Sequence, residues 1–294
     1  MTGIICINKP KDITSFGVVA KVRGILREKK CGHTGTLDPM ATGVLPVMLG
    51  GATRFLDYLP TTDKGYRAGF ILGKTTDTLD ITGRVLTETE VNVSEQDIKA
   101  VLPSFRGKIQ QLPPMYSAKS VDGKRLYELA REGIEVERKP CEVEIKNLEL
   151  LWCENGEYFI DVFCSKGTYI RSLIDDIGRA LCCGAVMTSL ERTYASGFSI
   201  EDCVTLEELQ SRRDEGRDFD DLIFCVEDLY RSYLKVSVSE AQARRFSNGG
   251  ELDIKRIRKA PPSGETVCVY FENEFLGLGC SDGESLRIVR LYRK

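Results

Sequence analysis

Residues 32–55 read GHTGTLDPMATGVLPVMLGGATRF, and this stretch constrains the fold more than any other part of the 294-residue chain. Seven of its 24 residues are glycine or proline, yet its second half is largely apolar. Gly35 and Gly43 allow a ligand or another segment to approach closely, and Pro39 keeps Asp38 out of a helix. The sequence therefore predicts a glycine-framed loop that presents one carboxylate, followed at once by a segment anchored in the core.

The composition is that of an ordinary folded protein, with 42% hydrophobic and 29% charged residues. These proportions argue against a disordered or low-complexity chain. No apolar run reaches membrane-spanning length, and the first residues, MTGIICINKPKD, do not resemble a secretory signal. We therefore expect a protein that is not exported, that remains in the cytoplasm and that has no membrane partner.

Cysteine and histidine usage gives little support to a metal site. The eleven cysteines form no CxxC pair, and His33 is the only histidine. Most of the cysteines lie among apolar residues, as in FIDVFCSKG, which is typical of small buried side chains in a reducing compartment. We expect no bound metal.

The net charge of −3 conceals a strong segregation of charge along the chain. Residues 201–228 carry eleven acidic and three basic residues, whereas residues 231–294 carry twelve basic and eight acidic ones. Nucleic acids respond to local potential and not to the total charge. The basic clusters are KVRGILREKK, 119–125, KRIRKA and RLYRK. Each cluster alone is compatible with a solvated surface. Several such clusters on one chain are also compatible with a polyanionic partner, so both interpretations stay open.

The spacing of apolar residues predicts strands and helices in an irregular order. Strands are predicted at residues 4–8 and in KGYRAGFILG, CEVEIKNLELLWC and GEYFIDVFCSKG, the last two joined by an Asn-Gly turn. Helices are predicted at 15–28, within 44–58, after a capping box at Ser94, in RLYELAREG and in TYIRSLIDDIGRAL. Because βαβ units do not alternate regularly, the sequence indicates an α+β fold with a mixed or antiparallel sheet.

The pattern changes after Arg231. LKVSVS predicts a strand, SEAQARRFSNGG predicts a helix, and the remaining residues predict short strands with tight turns. We therefore predict a first domain at 1–231 and a small β-rich domain at 232–294.

The chemistry of the glycine-framed loop centres on Asp38. The loop is not a P-loop, because no GK[ST] follows its first glycine at the required distance, and the chain contains neither GxSxG nor HExxH. A carboxylate in such a loop can act as a nucleophile or as a base. On the residues alone, an aspartate that only caps the loop remains an open alternative.

Several blocks of the sequence resemble one enzyme family. GHTGTLDPMATGVLPVMLGGATRF closely resembles the catalytic motif of TruB-type tRNA pseudouridine synthases. Further blocks resemble that family in the same order across about residues 3–200: NKPKDITS, KGYRAGFILGKTTDTLDITG, PPMYSAKSVDGKRLYELAREGIEVER, CSKGTYIRSLIDDIG and MTSLERTYASGF. The resemblance implies a pseudouridine synthase fold, an RNA-gripping insertion at about 112–139 and a PUA-like RNA-binding domain at 232–294.

The resemblance also implies the reaction. The family isomerises uridine 55 in the T-loop of tRNA, which is the expected partner, by cutting the bond to N1, turning the uracil and joining C5 to the ribose. The uridine must first be flipped out of the folded RNA. No atom is gained, so no cofactor is expected, and no obligatory protein partner is expected either.

The resemblance places the essential catalytic carboxylate at Asp38, and it leaves open whether this group attacks the sugar or takes a ribose proton. Arg171 matches the arginine that pairs with the carboxylate, and a guanidinium keeps its charge when it is buried. Tyr66 matches the active-site tyrosine, which is expected to stack on the uracil and to assist removal of the C5 proton.

The resemblance also gives a set of substrate-binding residues. Tyr169 and Leu190 match pocket positions. His33 matches the residue that stacks in the RNA near the flipped uridine. Four basic residues are expected phosphate contacts: Lys9, Lys119, Lys124 and Arg125. One departure is Asp12, which stands where the family usually has glycine and so calls the local turn into question.

Two alternatives remain. Guide-RNA-dependent pseudouridine synthases have similar catalytic blocks, but they depend on partner proteins and usually carry longer basic extensions than this sequence has. A non-catalytic RNA-binding protein that helps tRNA to fold is the alternative from another class, and it predicts that Asp38 can be replaced without loss of function.

Overall fold

The computed structural model describes residues 1–117, 119–121 and 123–293. Ala118 and Asp122, within the predicted insertion, and Lys294, at the end of the basic RLYRK cluster, lie outside the described residues. The strands in chain order are β1 Gly3–Lys9, β2 Cys31–His33, β3 Thr42–Leu49, β4 Lys64–Leu72, β5 Lys74–Thr76, β6 Val85–Glu88, β7 Gly107–Gln111, β8 Ser120–Val121, β9 Lys124–Arg125, β10 Cys141–Glu154, β11 Glu157–Cys164, β12 Ala185–Ala195, β13 Phe198–Ser199, β14 Lys235–Ser237, β15 Leu252–Asp253, β16 Thr266–Phe271, β17 Glu274–Ser281 and β18 Ser285–Leu291.

The helices are short and lie between these strands. The α-helices are α1 Ser15–Leu26, α2 Glu95–Val101, α3 Leu126–Arg131, α4 Ile170–Ala180, α5 Leu206–Asp214 and α6 Glu240–Ser247. Short 3₁₀ helices cover Gly50–Tyr58, Leu102–Phe105, Ile200–Asp202, Asp220–Leu222, Val226–Tyr230 and Ile254–Arg256. Across the described ranges, none of the helices combines the length and the apolar character needed to cross a bilayer.

A nine-stranded sheet forms the body of the protein. Seven strands follow the order β1-β3-β12-β4-β11-β10-β7, and β2 and β13 add to β3 and β12. Strand β12 runs parallel to β3, and the other neighbours along this path run antiparallel. The sheet is therefore mixed, and the predicted α+β class is confirmed.

Local sequence signals explain where several elements begin and end. Thr14 caps α1 by accepting a hydrogen bond from the Gly17 N–H, and Arg27 ends the helix in the left-handed conformation at φ 53°. The helix therefore stops two residues before the predicted 28. The capping box at Ser94 is confirmed, because Ser94 and Asp97 bond each other's backbone N–H groups.

The predicted Asn-Gly turn between β10 and β11 is also confirmed. Asn155 and Gly156 have φ angles of 51° and 81°, which a two-residue type I′ hairpin requires at both central positions.

The apolar run at 44–58 differs from the prediction in its first half. Residues through Leu49 form strand β3, and only Gly50–Tyr58 is helical, as a 3₁₀ helix. Strand β3 pairs with β1 on one side and with β12 on the other, and seven of its eight residues are buried. A strand covered on both faces lacks alternation, so its apolar run resembles that of a buried helix.

The core consists of layers on the two faces of the main sheet. Helix α4 packs on one face against β12 and β4, where Ile174 and Ile177 share an apolar cluster with Met187 and Phe70. Helices α1 and α5 cover β1 and β3 on another face. The glycine-framed loop enters the first of these layers, since Leu37, Met40 and Ala41 belong to the same apolar cluster as α4.

The C-terminal residues form a second sheet in the order β14-β16-β17-β18-β15. This five-stranded sheet confirms the predicted β-rich tail. It packs on the main body through a shared apolar cluster in which Tyr270 and Phe275 lie with Phe55 and Tyr230. The boundary between 231 and 232 remains a prediction.

Candidate active site

A pocket with a volume of about 200 Å³ opens beside the glycine-framed loop. It lies where the loop meets the first residues of β4, the N-terminus of α4 and the middle of β12. The lining residues are Thr36, Leu37, Asp38, Lys64, Tyr66, Ser117, Gly167, Thr168, Tyr169, Ile170, Arg171 and Leu190. The structure thus brings the predicted Asp38, Tyr66, Tyr169, Arg171 and Leu190 around one cavity.

The backbone of the loop is held on both sides of Asp38 by one buried hydroxyl and one backbone N–H. The Ser15 hydroxyl, at the start of α1, accepts a hydrogen bond from the Leu37 N–H at 2.8 Å and donates to the Leu37 carbonyl at 3.1 Å. The Asp12 N–H donates to the Pro39 carbonyl at 2.8 Å. These bonds fix the residues on both sides of Asp38, so the carboxylate projects from a rigid support.

Lys9 does not fit the phosphate contact that was expected of it. The side chain is fully buried, and its ammonium donates to the carbonyl oxygens of Pro10, Pro39 and Ala41 at 2.5–3.1 Å. Burial lowers the pKa of this ammonium to about 8, while the carboxylates of Asp38 and Asp12 act in the opposite direction. Lys9 therefore braces the loop from inside the protein, because its charge is already satisfied by backbone carbonyls.

Arg192 holds the loop from the other side, although no sequence pattern predicted a role for it. The side chain is fully buried in β12. Its guanidinium donates to the carbonyl oxygens of Val44, Thr36 and Gly35 at 2.8, 3.3 and 3.0 Å. A planar guanidinium suits this task because its donors diverge in fixed directions. Arg192 thereby ties the two ends of the loop to the central sheet.

Asp38 and Arg171 form the ion pair at the centre of the pocket. The Arg171 Nη2 lies 2.8 Å from the Asp38 Oδ2, with 6% of the Arg171 side chain and 38% of the Asp38 side chain exposed. The guanidinium is therefore buried, while the carboxylate remains open to a ligand. A charge-assisted hydrogen bond of this kind fixes the carboxylate orientation.

Three further groups hold Arg171 in place. Its guanidinium donates to the carbonyl oxygens of Thr78 and Tyr116 at 2.9 and 2.8 Å. Its Nη1 also lies 3.7 Å from the Oδ2 of Asp80, which is itself buried. Asp80 is oriented by hydrogen bonds from the hydroxyls of Thr78 and Thr82. Arg171 is thus positioned independently of Asp38.

Tyr66 forms an apolar wall of the pocket. Its side chain projects from β4 and is 5% exposed, and Leu190, which is also buried, lies on the adjacent strand β12. Burial raises the pKa of the Tyr66 hydroxyl to about 12, and the Arg192 guanidinium acts in the opposite direction. The phenol therefore keeps its proton at neutral pH. Tyr169, whose carbonyl accepts from the Gln111 amide at 3.1 Å, completes the wall before α4.

His33 lies beside the loop on β2 and does not line the pocket. Its Nδ1 is buried and has no hydrogen-bond partner among the described residues. Burial, followed by the charge of Arg192, lowers the pKa of the imidazole, while a hydrogen bond to the Gly35 backbone acts in the opposite direction; the net shift is downward, so the ring is neutral at pH 7. Its expected stacking in the RNA remains a prediction.

The other predicted phosphate contacts lie on the insertion. Lys124 and Arg125 are exposed on the β8–β9 hairpin, where they are accessible to a polyanion. Lys119 is partly buried, with its Nζ 2.6 Å from the Cys141 Sγ. All three remain predictions.

Asp12 occupies a turn position where the family usually has glycine, and its backbone conformation explains that preference. Asp12 adopts φ 64°, a left-handed conformation that glycine adopts at little cost and that aspartate tolerates better than most residues. The turn therefore forms without glycine.

Arg192 and Asp80, which the sequence patterns did not predict, are both buried charged residues. Arg192 and Leu190 are two residues apart on β12, and successive side chains of a strand alternate between faces. An arginine in phase with a core leucine was therefore the available signal. For Asp80 there was no comparable signal, because it lies in a turn.

The site can perform nucleophilic or acid–base chemistry at one carboxylate. Asp38 lies at the mouth of a pocket with apolar walls, and a fixed cation holds one of its oxygens. Within the described parts of the chain, no group of three or more histidine, cysteine, aspartate or glutamate side chains is arranged to hold a metal ion.

Comparisons with known proteins agree with this arrangement. Residues 23–170 match the family model of the TruB family pseudouridylate synthase N-terminal domain, and residues 171–231 match the tRNA pseudouridylate synthase B C-terminal domain. The tRNA pseudouridine synthase B of Clostridium tetani is 43% identical over 292 residues, covering 99% of both chains. That of Pseudomonas fluorescens Pf0-1 is 46% identical over 281 residues, covering 95% of this chain and 91% of the relative.

Solved structures show the same fold. A Cbf5–Nop10–Gar1 complex contains a chain that matches with a TM-score of 0.77 at 28% identity, over 99% of this chain and 85% of that one. An H/ACA RNP bound to a substrate RNA containing 2′-deoxyuridine matches with a TM-score of 0.76 at 26% identity, over 99% and 85% of the two chains. The family resemblance and the pseudouridine synthase fold are therefore confirmed. The chain belongs to the TruB family of tRNA pseudouridine synthases, which are isomerases that act on RNA.

Proposed function

We propose that this enzyme isomerises uridine 55 in the T-loop of tRNA to pseudouridine, with Asp38 as the essential carboxylate. The observation that carries the proposal is the ion pair between Asp38 and the buried Arg171, at 2.8 Å, at the mouth of a pocket walled by Tyr66 and Leu190. This combination supplies one reactive carboxylate and a flat apolar surface for a planar base.

The geometry supports a division of roles within the pocket. The flipped uridine stacks its uracil on Tyr66, with Leu190 against the same base, so that the ribose faces Asp38. The carboxylate then attacks the sugar or takes a ribose proton while Arg171 holds it in orientation. Because Tyr66 keeps its proton at neutral pH, its position supports stacking better than removal of the C5 proton.

The surroundings of the pocket support a folded RNA as substrate. Lys124 and Arg125 project from the insertion, whose Ser117 lines the same pocket as Asp38. RNA loops are recognised by their shape and by splayed bases, which such a mixture of apolar and basic groups can bind. The carboxylate, its arginine and the apolar walls all come from this one chain, which supports action without an obligatory protein partner.

A guide-RNA-dependent enzyme is the second candidate. The observation that favours it is the similarity to chains from a Cbf5–Nop10–Gar1 complex and an H/ACA RNP, which are assemblies of several components. The two candidates differ in what the isolated protein can do. A standalone enzyme modifies tRNA by itself, whereas a guide-dependent enzyme requires a guide RNA and further proteins.

The test uses an unmodified tRNA transcript and the purified protein alone. Pseudouridine is mapped by carbodiimide modification and primer extension, with a transcript carrying cytidine at position 55 as the control. The proposal predicts one modification, at position 55, and none in the control transcript. Modification at another uridine contradicts the site, and no modification without a guide RNA favours the second candidate.

A further inference from the structure

Lys64 is the one lysine that lines the catalytic pocket among the described residues. It is the first residue of β4 and stands two positions before Tyr66. Side chains two residues apart on a strand project from the same face. The Lys64 ammonium therefore lies on the same side of the sheet as the tyrosine on which the uracil is proposed to stack.

Lys64 has no carboxylate partner among the residues that the structure describes. The adjacent carboxylate, that of Asp63, is engaged elsewhere, because it pairs with Lys146 at 2.7 Å. The pocket carboxylate, that of Asp38, pairs with Arg171. The Lys64 charge is therefore uncompensated in the free protein.

A second cation and an unpartnered ring nitrogen lie near the Lys64 ammonium. A Cβ built on Gly35 would lie 3.2 Å from the Lys64 Nζ and 3.6 Å from the Arg192 Nη1, so the two cations converge beside the loop. The neighbouring His33 contributes a buried Nδ1 without a hydrogen-bond partner. Burial and the charge of Arg192 lower the pKa of Lys64 to about 8, while Cys164 acts in the opposite direction.

This arrangement favours an anion. A cation that is partly removed from water and placed near a second cation is stabilised when a negative charge arrives. Arg192 cannot reach such a ligand, because it is fully buried and bonded to three carbonyl oxygens. Lys64 lines the open pocket, so it is the member of the pair that can make contact.

We propose that Lys64 binds a backbone phosphodiester adjoining the flipped uridine, in a phosphate subsite continuous with the catalytic pocket. Uracil and ribose are neutral at physiological pH, so the phosphodiester is the part of the substrate that supplies the missing negative charge. The subsite rests on the proposed function, since it assumes that the uridine is stacked on Tyr66. Glycine at position 35 leaves room for the phosphate, where any side chain would press on Lys64.

A different role for Lys64 is removal of the C5 proton as a neutral amine. The two roles predict different defects in a Lys64 variant, one in RNA affinity and the other in kcat. Loss of a phosphate contact weakens RNA binding and lowers its dependence on salt, whereas loss of a base lowers kcat and leaves affinity intact.

The test is a double-mutant cycle with the full-length protein and synthetic T-arm stem–loops. The protein variants are Lys64→Met and Lys64→Gln, with Lys99→Met as the control. Lys99 is an exposed lysine that pairs with Glu95 on α2. The RNAs carry either natural linkages or a single neutral methylphosphonate, placed on the 5′ or the 3′ side of the target uridine. Dissociation constants are measured at several salt concentrations, and kcat is measured on the natural RNA.

The proposal predicts that both Lys64 variants bind natural RNA about 10- to 100-fold more weakly, with a salt slope reduced by about one, and that the control does not. One of the two methylphosphonate RNAs abolishes the difference between the variants and the native protein. The proposal is overturned if the variants bind natural RNA as tightly as the native protein. It is also overturned if, on both methylphosphonate RNAs, the variants bind more weakly than the native protein by the same factor as on natural RNA. Lost kcat with unchanged affinity assigns Lys64 to proton removal instead. Failure of the native protein to modify the natural stem–loop counts against the proposed function and not against the subsite.

Discussion

The Arg171 guanidinium lies between two carboxylates, 2.8 Å from the Oδ2 of Asp38 and 3.7 Å from the Oδ2 of Asp80. One carboxylate is open to the pocket, and the other is buried. The same guanidinium donates to two backbone carbonyls, so it cannot follow Asp38 if Asp38 moves. Arg171 therefore acts as a fixed reference that sets the position of the reactive carboxylate.

The first prediction follows from this geometry. Arg171→Lys keeps the charge, but a single ammonium cannot serve Asp38, Asp80 and the carbonyls together. We expect kcat to fall by about 100-fold, as for a reacting group that is misplaced by about an ångström, with a smaller change in tRNA affinity. Single-turnover kinetics and tRNA binding check this. Arg179→Lys, at an exposed position on the same helix, is the control; equal losses in both variants would contradict the prediction.

Arg192 gives a prediction about stability. Arg192→Met leaves the carbonyl oxygens of Gly35, Thr36 and Val44 without their donor inside the protein. We expect a loss of about 2–4 kcal/mol in the free energy of unfolding, together with impaired turnover. Arg67→Met, on the exposed face of the neighbouring strand β4, is expected to cost less than about 1 kcal/mol. Urea unfolding of both variants measures the difference, and similar costs would argue against a bracing role for Arg192.

Gly43 gives a prediction about backbone conformation. It has φ 98°, and an added Cβ would lie 2.2 Å from the Arg192 carbonyl oxygen across the parallel β3–β12 pairing. Gly43→Ala is therefore expected to destabilise the fold by about 2–4 kcal/mol. Gly32→Ala is the control, because no atom lies within 4 Å of its added Cβ. Thermal unfolding compares the two, and a Gly43→Ala variant as stable as the control would refute this account of the loop.

Lys64 gives a prediction about pH. Its pKa is about 8 in the folded protein against the usual 10.5, so between these values the unfolded chain binds more protons. The buried charge of Lys64 lowers the free energy of unfolding of the native protein at neutral pH. As the pH rises from about 8 to 10.5, this penalty decreases and disappears, because the unfolded chain then loses its proton too. Arg192 is the cation that acts on Lys64 in this range, and Cys164, whose own pKa is raised to about 11, stays largely a neutral thiol.

The corresponding experiment compares Lys64→Met with the native protein at several pH values. We expect the variant to be more stable by about 1 kcal/mol at pH 7, a figure that allows for partial exposure of the lysine. The difference should be constant below pH 8 and should shrink toward pH 10.5. A variant that is less stable at pH 7, or a difference that grows with pH, would show that the charge is compensated in the free protein.

The sequence could identify the reactive loop because its signals are local. Glycines and a proline around Asp38 predict an irregular loop by sterics alone, and the capping box at Ser94 and the turn at Asn155 are equally local. Tyr66 and Leu190 became candidates only through the family resemblance, since a tyrosine and a leucine within strands otherwise indicate core.

The supports of the loop could not be predicted from local signals. A lysine next to proline, such as Lys9, ordinarily lies at the surface, and only the fold shows that three carbonyl oxygens meet its ammonium. The helix predicted within 44–58 was wrong for residues 44–49, because both faces of β3 are buried and the alternation that marks a strand is lost. In both cases long-range contacts decided the outcome.

The measurement that tests the central claim most directly is tritium release from unmodified tRNA labelled at C5 of uridine, with native protein and Asp38→Asn. Asparagine keeps the size of the side chain but can act neither as a nucleophilic carboxylate nor as a base. We predict release by the native protein, release by the variant reduced at least about 1,000-fold, and tRNA binding by both within about threefold. Substantial release by a variant that binds tRNA normally would contradict the assignment of Asp38 as the essential carboxylate.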